Sequence, residues 1–302
     1  MSTLPRILIL GANGQVGYEL QQGFAGSSEV VACDRSQIDL TDARRIRAVV
    51  RNAAPDVILN AAAYTAVDRA ESEPEAAMAV NGVAPGVLAE ESSRLGALLV
   101  HYSTDYVFDG SKTGPWVETD APNPLNVYGA TKLAGERAIA EAGGSYLIFR
   151  TSWVYGPRGN NFLFTMLRLG KQRDELKIVD DQFGAPTPAL ELANATHAVV
   201  TKILSEGGSA ATRSGIYHMS CGGVVSWCGF AKAIFKRSRL VLGGKIPLVH
   251  PIPASEYPTP ARRPQNSVLS NEKLFRQFGV RLRDWQAALD AVIQQLDRAS
   301  PR

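Results

Sequence analysis

The sequence predicts an α/β protein, a doubly wound parallel sheet followed by a smaller C-terminal α/β domain. Three observations carry that expectation. Short, almost wholly apolar runs alternate with longer amphipathic ones through the first half, the pattern of a parallel sheet covered by helices on both faces. The first apolar run stops at the glycine-spaced stretch GANGQVG, where a helix opens. Past about residue 156, glycine, asparagine and proline interrupt the chain in GPRGNNF, DDQFGAPTPA and PIPASEYPTPARRPQNS, and the alternation fades. A length of 302 residues suits two domains of about 150 residues each, placed at 1–155 and 156–302 with segments free to interleave.

In order, RILILGA reads as the first strand, QVGYELQQGF as the first helix and EVVACD as the second strand. A helix over DARRIRAVVRNA, a strand in DVILNAAA, a helix through EPEAAMAVNGVAPGVLAEESSRL and a strand in ALLVHYSTDYVF follow. After a helix in APNPLNVYGATKLAGERAIAEAG, the run YLIFRTSWVYG completes roughly the sixth strand of a doubly wound sheet. Four more helices are expected at NFLFTMLRLGKQR, ALELANATHAVVTKIL, SWCGFAKAIFKRS and DWQAALDAVIQQLD.

Hydrophobic residues at 45% and charged residues at 20% are globular values, which argues against disorder and against a rod. A net charge of +3 without a long basic run gives no support to nucleic-acid binding. The opening apolar run ILIL is too short for a signal peptide, and no span approaches the roughly 18 apolar residues of a membrane helix. Cys33, Cys221 and Cys228 are odd in number and lack Cys-x-x-Cys spacing, so a cytoplasmic setting fits better than a disulfide framework or a zinc site. His101, His197, His218 and His250 stand singly and read as structural. The choice between monomer and homodimer is left open.

The spacing of Gly11, Gly14 and Gly17, with Asn13, Gln15 and Val16 between them, suits a Rossmann-type turn. Such a turn exposes backbone N–H groups at a helix N-terminus, where a dinucleotide pyrophosphate binds. Asp34 ends the second strand, where a carboxylate accepts from the ribose 2′-hydroxyl of NAD. Arg35 follows, suited to the 2′-phosphate of NADP. NADH and NADPH therefore both remain open. Asp39 and Leu40 either flank the adenine or, for Asp39, cap a helix. The small side chains of Ala61, Ala62 and Ala63 let a cofactor lie close over the sheet edge.

Tyr128 and Lys132 in NVYGATKLAGE lie one helical turn apart and share a face. An ammonium roughly 5 Å from the phenol, at an effective dielectric near 20, favours the phenolate by about 3 kcal/mol, roughly two pKa units. Ser103 and Thr104 end the preceding strand, where their hydroxyls can hold a substrate carbonyl beside the tyrosine.

Glycine loop, strand-end hydroxyls and Tyr-x-x-x-Lys in this order resemble the extended short-chain dehydrogenase/reductases. The phrases PDVILNAAAYTAVDRAESEPE, VHYSTDYVFDG, PLNVYGATKLAGE, FRTSWVYG and DDQFGAPT are similar, within them, to the dTDP-4-dehydrorhamnose reductase family. The resemblance implies that Thr104, Tyr128 and Lys132 are catalytic, and that NADPH or NADH reduces C4 of a keto sugar while Tyr128 supplies the proton. It implies a sugar pocket lined by Thr65, Val67, Asp105, Tyr106 and Trp153. Asn161, Gln182, Arg262 and Arg263 become candidates for the nucleotide end, although arginines on a proline-rich loop also suit a solvated role. Some members of the family form magnesium-bridged dimers. Glu19 and Glu191 stand at fitting places, but the C-terminal helix DWQAALDAV has glutamine where such members have an acid.

Three rivals share the scaffold. A nucleotide-sugar dehydratase needs an Asp-Glu pair after the threonine, and here Asp105 is followed by Tyr106. A 4-epimerase uses the same tyrosine and lysine but lacks the family phrases. A non-catalytic regulator, such as the regulatory subunit of methionine adenosyltransferase, does not require the intact Thr104, Tyr128 and Lys132 set.

Overall fold

The computed structural model describes residues 4–206, 210–239, 241–244 and 246–299. Five strands of the central sheet come from the first half of the chain: β1 (Arg6–Leu10), β2 (Glu29–Cys33), β3 (Val57–Asn60), β4 (Leu98–Thr104) and β5 (Ser145–Thr151). The sixth, Gly215–His218, comes from the second half and pairs with β5. All pairings are parallel, and the order is β2, β1, β3, β4, β5, then Gly215–His218. The run YLIFRTSWVYG is thus the fifth strand, not the sixth. GIYH escapes sequence reading because it is short and follows no period, and its hydrogen bonds come from a distant partner.

β1 and β3 are neighbours although β2 lies between them in sequence. The winding therefore reverses between β1 and β3, and their carboxyl ends open a crevice, the usual ligand position in such sheets. β1, β3 and β4 are buried along their lengths, which explains their continuous apolar sequences. One helical layer contains α1 (Gln15–Phe24) packed on the helix Ala189–Ser205; the other contains α2 (Ala43–Ala53) with Ala84–Leu95 and Val127–Ala142.

The expected helix across residues 73–95 is three pieces: Pro74–Met78, a π-helical turn Ala79–Val83, and Ala84–Leu95. Pro85 has no amide hydrogen for an interior helical bond, and Asn81 turns inward to bond Tyr64 N, Tyr64 O and Thr131 Oγ1. DYVF does not prolong β4; Asp105–Val107 is a 3₁₀ turn capped by Thr104. In the second half, Phe162–Gln172 packs on Trp227–Arg237, and Glu175–Val179 pairs in parallel with Leu248–Ile252. Cys33, Cys221 and Cys228 are free and buried. Among the described residues, no helix is long and apolar enough to cross a membrane.

Candidate active site

The glycine loop leaves β1 and folds back on the end of β3. An added Cβ at Gly17 would lie 2.1 Å from the Gly11 carbonyl oxygen, so loop and helix approach more closely than any side chain permits. Gly14 caps α1 without a side-chain bond, which leaves the first amides of the helix open to an anion. Beside them lies an open cleft lined by Gly11, Asn13, Gly14, Asp34, Arg35 and Ser36. A dinucleotide fits this cradle. Gly17→Ala is expected to raise the Kd for NADPH by about tenfold or more, the equivalent of ~1.4 kcal/mol. Fluorescence titration checks this, and an unchanged Kd would show that the loop holds no pyrophosphate.

Asp34 accepts from Asn13 Nδ2 at 2.6 Å and from Ser36 N and Oγ at 2.8 and 2.6 Å, and the Ser36 bonds hold its carboxyl below the usual range. Arg35 is exposed on the cleft wall. Asp39 caps no helix. It accepts from Thr41 N and Oγ1, whereas Asp42 caps α2 through Arg44 N and Arg45 N. Leu40 is half-buried against the core. Ala61, Ala62 and Ala63 follow β3 and are half-buried.

The helix Val127–Ala142 begins at a cap in which Asn126 Oδ1 accepts from Gly129 N at 2.8 Å, while Asn126 Nδ2 donates to the Arg262 carbonyl at 2.7 Å. Gly129 lets the helix start press on the Asp105–Val107 turn: a Cβ there would lie 2.1 Å from the Tyr106 carbonyl oxygen. That contact brings Tyr128 to Thr104. Tyr106 meets the Tyr128 ring edge-on, with centroids 5.8 Å apart. The phenol is pushed up to about 12 by burial, with the hydrogen bond between it and Thr104 acting the other way. The expected lowering by Lys132 does not occur. Lys132 is itself buried, and desolvation pulls its ammonium down to about 7, against the opposing charge of Glu136. Its Nζ bonds the Tyr102 carbonyl at 2.6 Å and His101 Nε2 at 2.9 Å. His101 is therefore no isolated structural histidine.

Ser103 faces away from the crevice. Its hydroxyl donates to Glu136, which also takes a bidentate pair from Arg150 at 2.9 and 2.6 Å. Thr104 is thus the one strand-end hydroxyl at Tyr128. It donates to Asp105 Oδ1 at 2.9 Å. Asp105 was expected to line the sugar pocket, but it lies buried beneath Thr104, also bonded by Ser152, and burial raises its carboxyl to about 6.

Thr65 is exposed, and Val67 opens the short helix Val67–Ala70. Trp153 takes a left-handed backbone, φ 49°, a conformation costing about 1–3 kcal/mol outside glycine. Its indole stacks on Trp227 at 3.4 Å. Trp227 gave no sequence signal beyond its helix; only the fold brings it to Trp153.

Two of the four candidates for the nucleotide end are differently employed. The Asn161 amide donates to Gln15 Oε1, Gly156 O and Arg158 O, and its oxygen caps the helix Phe162–Gln172, so Asn161 and Gln15 fasten the two halves together. Arg263 is paired with Asp68 at 2.8 Å and also bonds Thr259, Ala261 O and Tyr106. Gln182 is nearly buried. Arg262 is exposed beside Asn126. Glu191 is held by Arg283 at 3.0 Å, and burial raises the Glu19 carboxyl while Arg158 opposes. Among the described residues no group of three or more His, Cys, Asp or Glu could hold a metal.

A doubly wound sheet with a glycine-loop cleft at the carboxyl ends of β1 and β2 and a Tyr-x-x-x-Lys helix at its carboxyl edge defines an extended short-chain dehydrogenase/reductase. The family model described as "RmlD substrate binding domain" matches residues 5–298, and the chain belongs to that family. It is 52% identical to a dTDP-4-dehydrorhamnose reductase of Burkholderia thailandensis over 96% of this chain and 99% of the relative. Among solved structures it is similar to a dTDP-4-dehydrorhamnose reductase of Clostridium acetobutylicum, with TM-score 0.88 and 40% identity over 96% and 99% of the two chains. The same enzyme of Bacillus anthracis, in complex with NADP, matches with TM-score 0.87 and 35% identity over the same shares.

Proposed function

We infer that the chain reduces the C4 keto group of dTDP-4-dehydro-L-rhamnose to give dTDP-L-rhamnose, the last step of dTDP-L-rhamnose synthesis. The observation that carries this is the Tyr128 phenol, bonded to Thr104 on a helix starting at the sheet's carboxyl edge. Bound in the cleft, NADPH or NADH supplies the reducing equivalents. The open amides of α1 and Asn13 are the groups to hold its pyrophosphate. Asp34 already accepts from Asn13 and Ser36, while Arg35 stands exposed on the cleft wall, which favours the 2′-phosphate of NADPH.

With its phenol raised to about 12, Tyr128 keeps its proton throughout neutral pH and is matched to a strongly basic alkoxide developing at C4. Thr104, which donates to Asp105 in the ligand-free protein, orients the ketone oxygen toward that proton by turning its one hydroxyl hydrogen from Asp105 to the substrate. Thr65, Val67, Tyr106 and Trp153 bound the sugar. Arg262 is the guanidinium left for the substrate pyrophosphate, since Arg263 serves Asp68 and Tyr106.

The test is steady NADPH oxidation by the purified protein, followed at 340 nm with dTDP-4-dehydro-L-rhamnose made in situ. Consumption with that sugar, slower consumption with NADH and none with UDP-galactose are expected. Absence of consumption with the keto sugar overturns the assignment.

A further inference from the structure

Behind the crevice, β3, β4 and the helix Val127–Ala142 enclose three polar side chains, Asn60, His101 and Lys132, each only 1% exposed. Asn60 Nδ2 lies 3.0 Å from His101 Nδ1, and His101 Nε2 lies 2.9 Å from Lys132 Nζ. The direction of these bonds follows from a donor that cannot turn. The Ala62 backbone amide donates to Asn60 Oδ1 at 3.3 Å, so the Asn60 nitrogen faces His101 and donates to Nδ1. A neutral imidazole that accepts at Nδ1 carries its hydrogen on Nε2. That hydrogen points at Lys132 Nζ, which must accept it, and an amine has a lone pair where an ammonium has none.

The surroundings agree. From its own helix Lys132 faces the Glu136 carboxylate; from β4 it meets His101 and the Tyr102 carbonyl. The Tyr102 hydroxyl is turned away to Thr196. Glu136 is the nearest carboxylate, but Arg150 on β5 and Ser103 occupy it. Asp105 lies beyond Thr104, and Asn81, which reaches the same helix through Thr131, is uncharged. Among the described residues no carboxylate is left to pair with a charged Lys132, and burial holds the His101 imidazolium well below its usual range.

We propose that Asn60 and His101 are positioning residues that hold Lys132 as the uncharged amine in the ligand-free protein, with His101 as the Nε2–H tautomer donating to Nζ and Nζ donating to the Tyr102 carbonyl. Charging Lys132 takes one proton from solvent and reverses the His101 tautomer. The kinetic consequence rests on the reductase assignment; the tautomer does not.

The experiment is NMR of the ligand-free full chain labelled with ¹⁵N at histidine, at pH 8, correlating ring nitrogens with ring hydrogens. His197 and His250 are assigned with His197→Gln and His250→Gln, which leaves the two buried rings. His218 Nδ1 lies 3.1 Å from the Trp116 carbonyl and must donate to it, so His218 is the opposite tautomer. One ring protonated at Nε2 and one at Nδ1 is the expected result; two rings protonated at Nδ1 overturns the proposal. In kinetics, His101→Gln offers an acceptor to an ammonium, and the lysine midpoint in the pH profile of kcat/KM should rise by about one unit or more. A uniform loss of kcat/KM with an unmoved midpoint contradicts the proposal. If the wild type turns over no NADPH, the reductase assignment fails while the spectrum still decides the tautomer.

Discussion

Tyr128→Phe is expected to lower kcat by about 10² to 10⁴, the usual worth of a positioned proton donor, while leaving the Kd for NADPH nearly unchanged. The variant keeps the ring that meets Tyr106 edge-on at 5.8 Å, so the crevice should not collapse. Only the hydroxyl disappears, and with it the group bonded to Thr104. The proton is needed as the alkoxide develops, so kcat and kcat/KM should fall together, the signature of an interaction made in the transition state. Steady-state kinetics with a parallel cofactor titration separate this from a binding defect. Wild-type turnover in the variant would remove Tyr128 from the chemistry.

Arg150→Met is expected to destabilise the fold by about 3–5 kcal/mol, the cost of leaving one member of a buried ion pair alone. Arg150 and Glu136 are each about 2% exposed, and the Glu136 carboxylate also accepts from Ser103. Without the guanidinium, that carboxylate is buried with one hydroxyl for company. The double variant Arg150→Met, Glu136→Leu should recover most of the loss, because no charge is then left unpaired. Urea unfolding curves measure both; a single-variant loss below about 1 kcal/mol would show that the pair contributes little. Glu136 stands one turn beyond Lys132, so the single variant should also free a carboxylate to attract the lysine and raise the pH midpoint of kcat/KM.

Much of this site is legible before any coordinates. Gly11, Gly14 and Gly17 declare the cleft, and at Gly17 any Cβ would lie 2.1 Å from the Gly11 carbonyl oxygen. Tyr128 and Lys132 declare a shared helical face, and the bounds of α1 follow from its apolar period. Long-range pairing is what local sequence cannot carry. The edge strand Gly215–His218 exists through its bonds to β5, and Trp227 reaches Trp153 only after the second half folds. Chemical type also misleads when a partner is hidden. Arg263 suits a pyrophosphate by type, but Asp68 holds it, and Ser103 suits a substrate carbonyl, but its hydroxyl donates to Glu136. A lysine is a free ammonium at a surface, whereas burial pulls the Lys132 ammonium down to about 7.

The central claim is that each turnover is a net reduction in which Tyr128 closes the reaction with a proton. The direct measurement is stoichiometry in one sample: NADP⁺ formed from absorbance at 340 nm against dTDP-L-rhamnose quantified by chromatography and mass spectrometry. One NADP⁺ per sugar product is the predicted result. Conversion of the sugar without loss of NADPH would mean epimerisation at the same residues and would contradict the account.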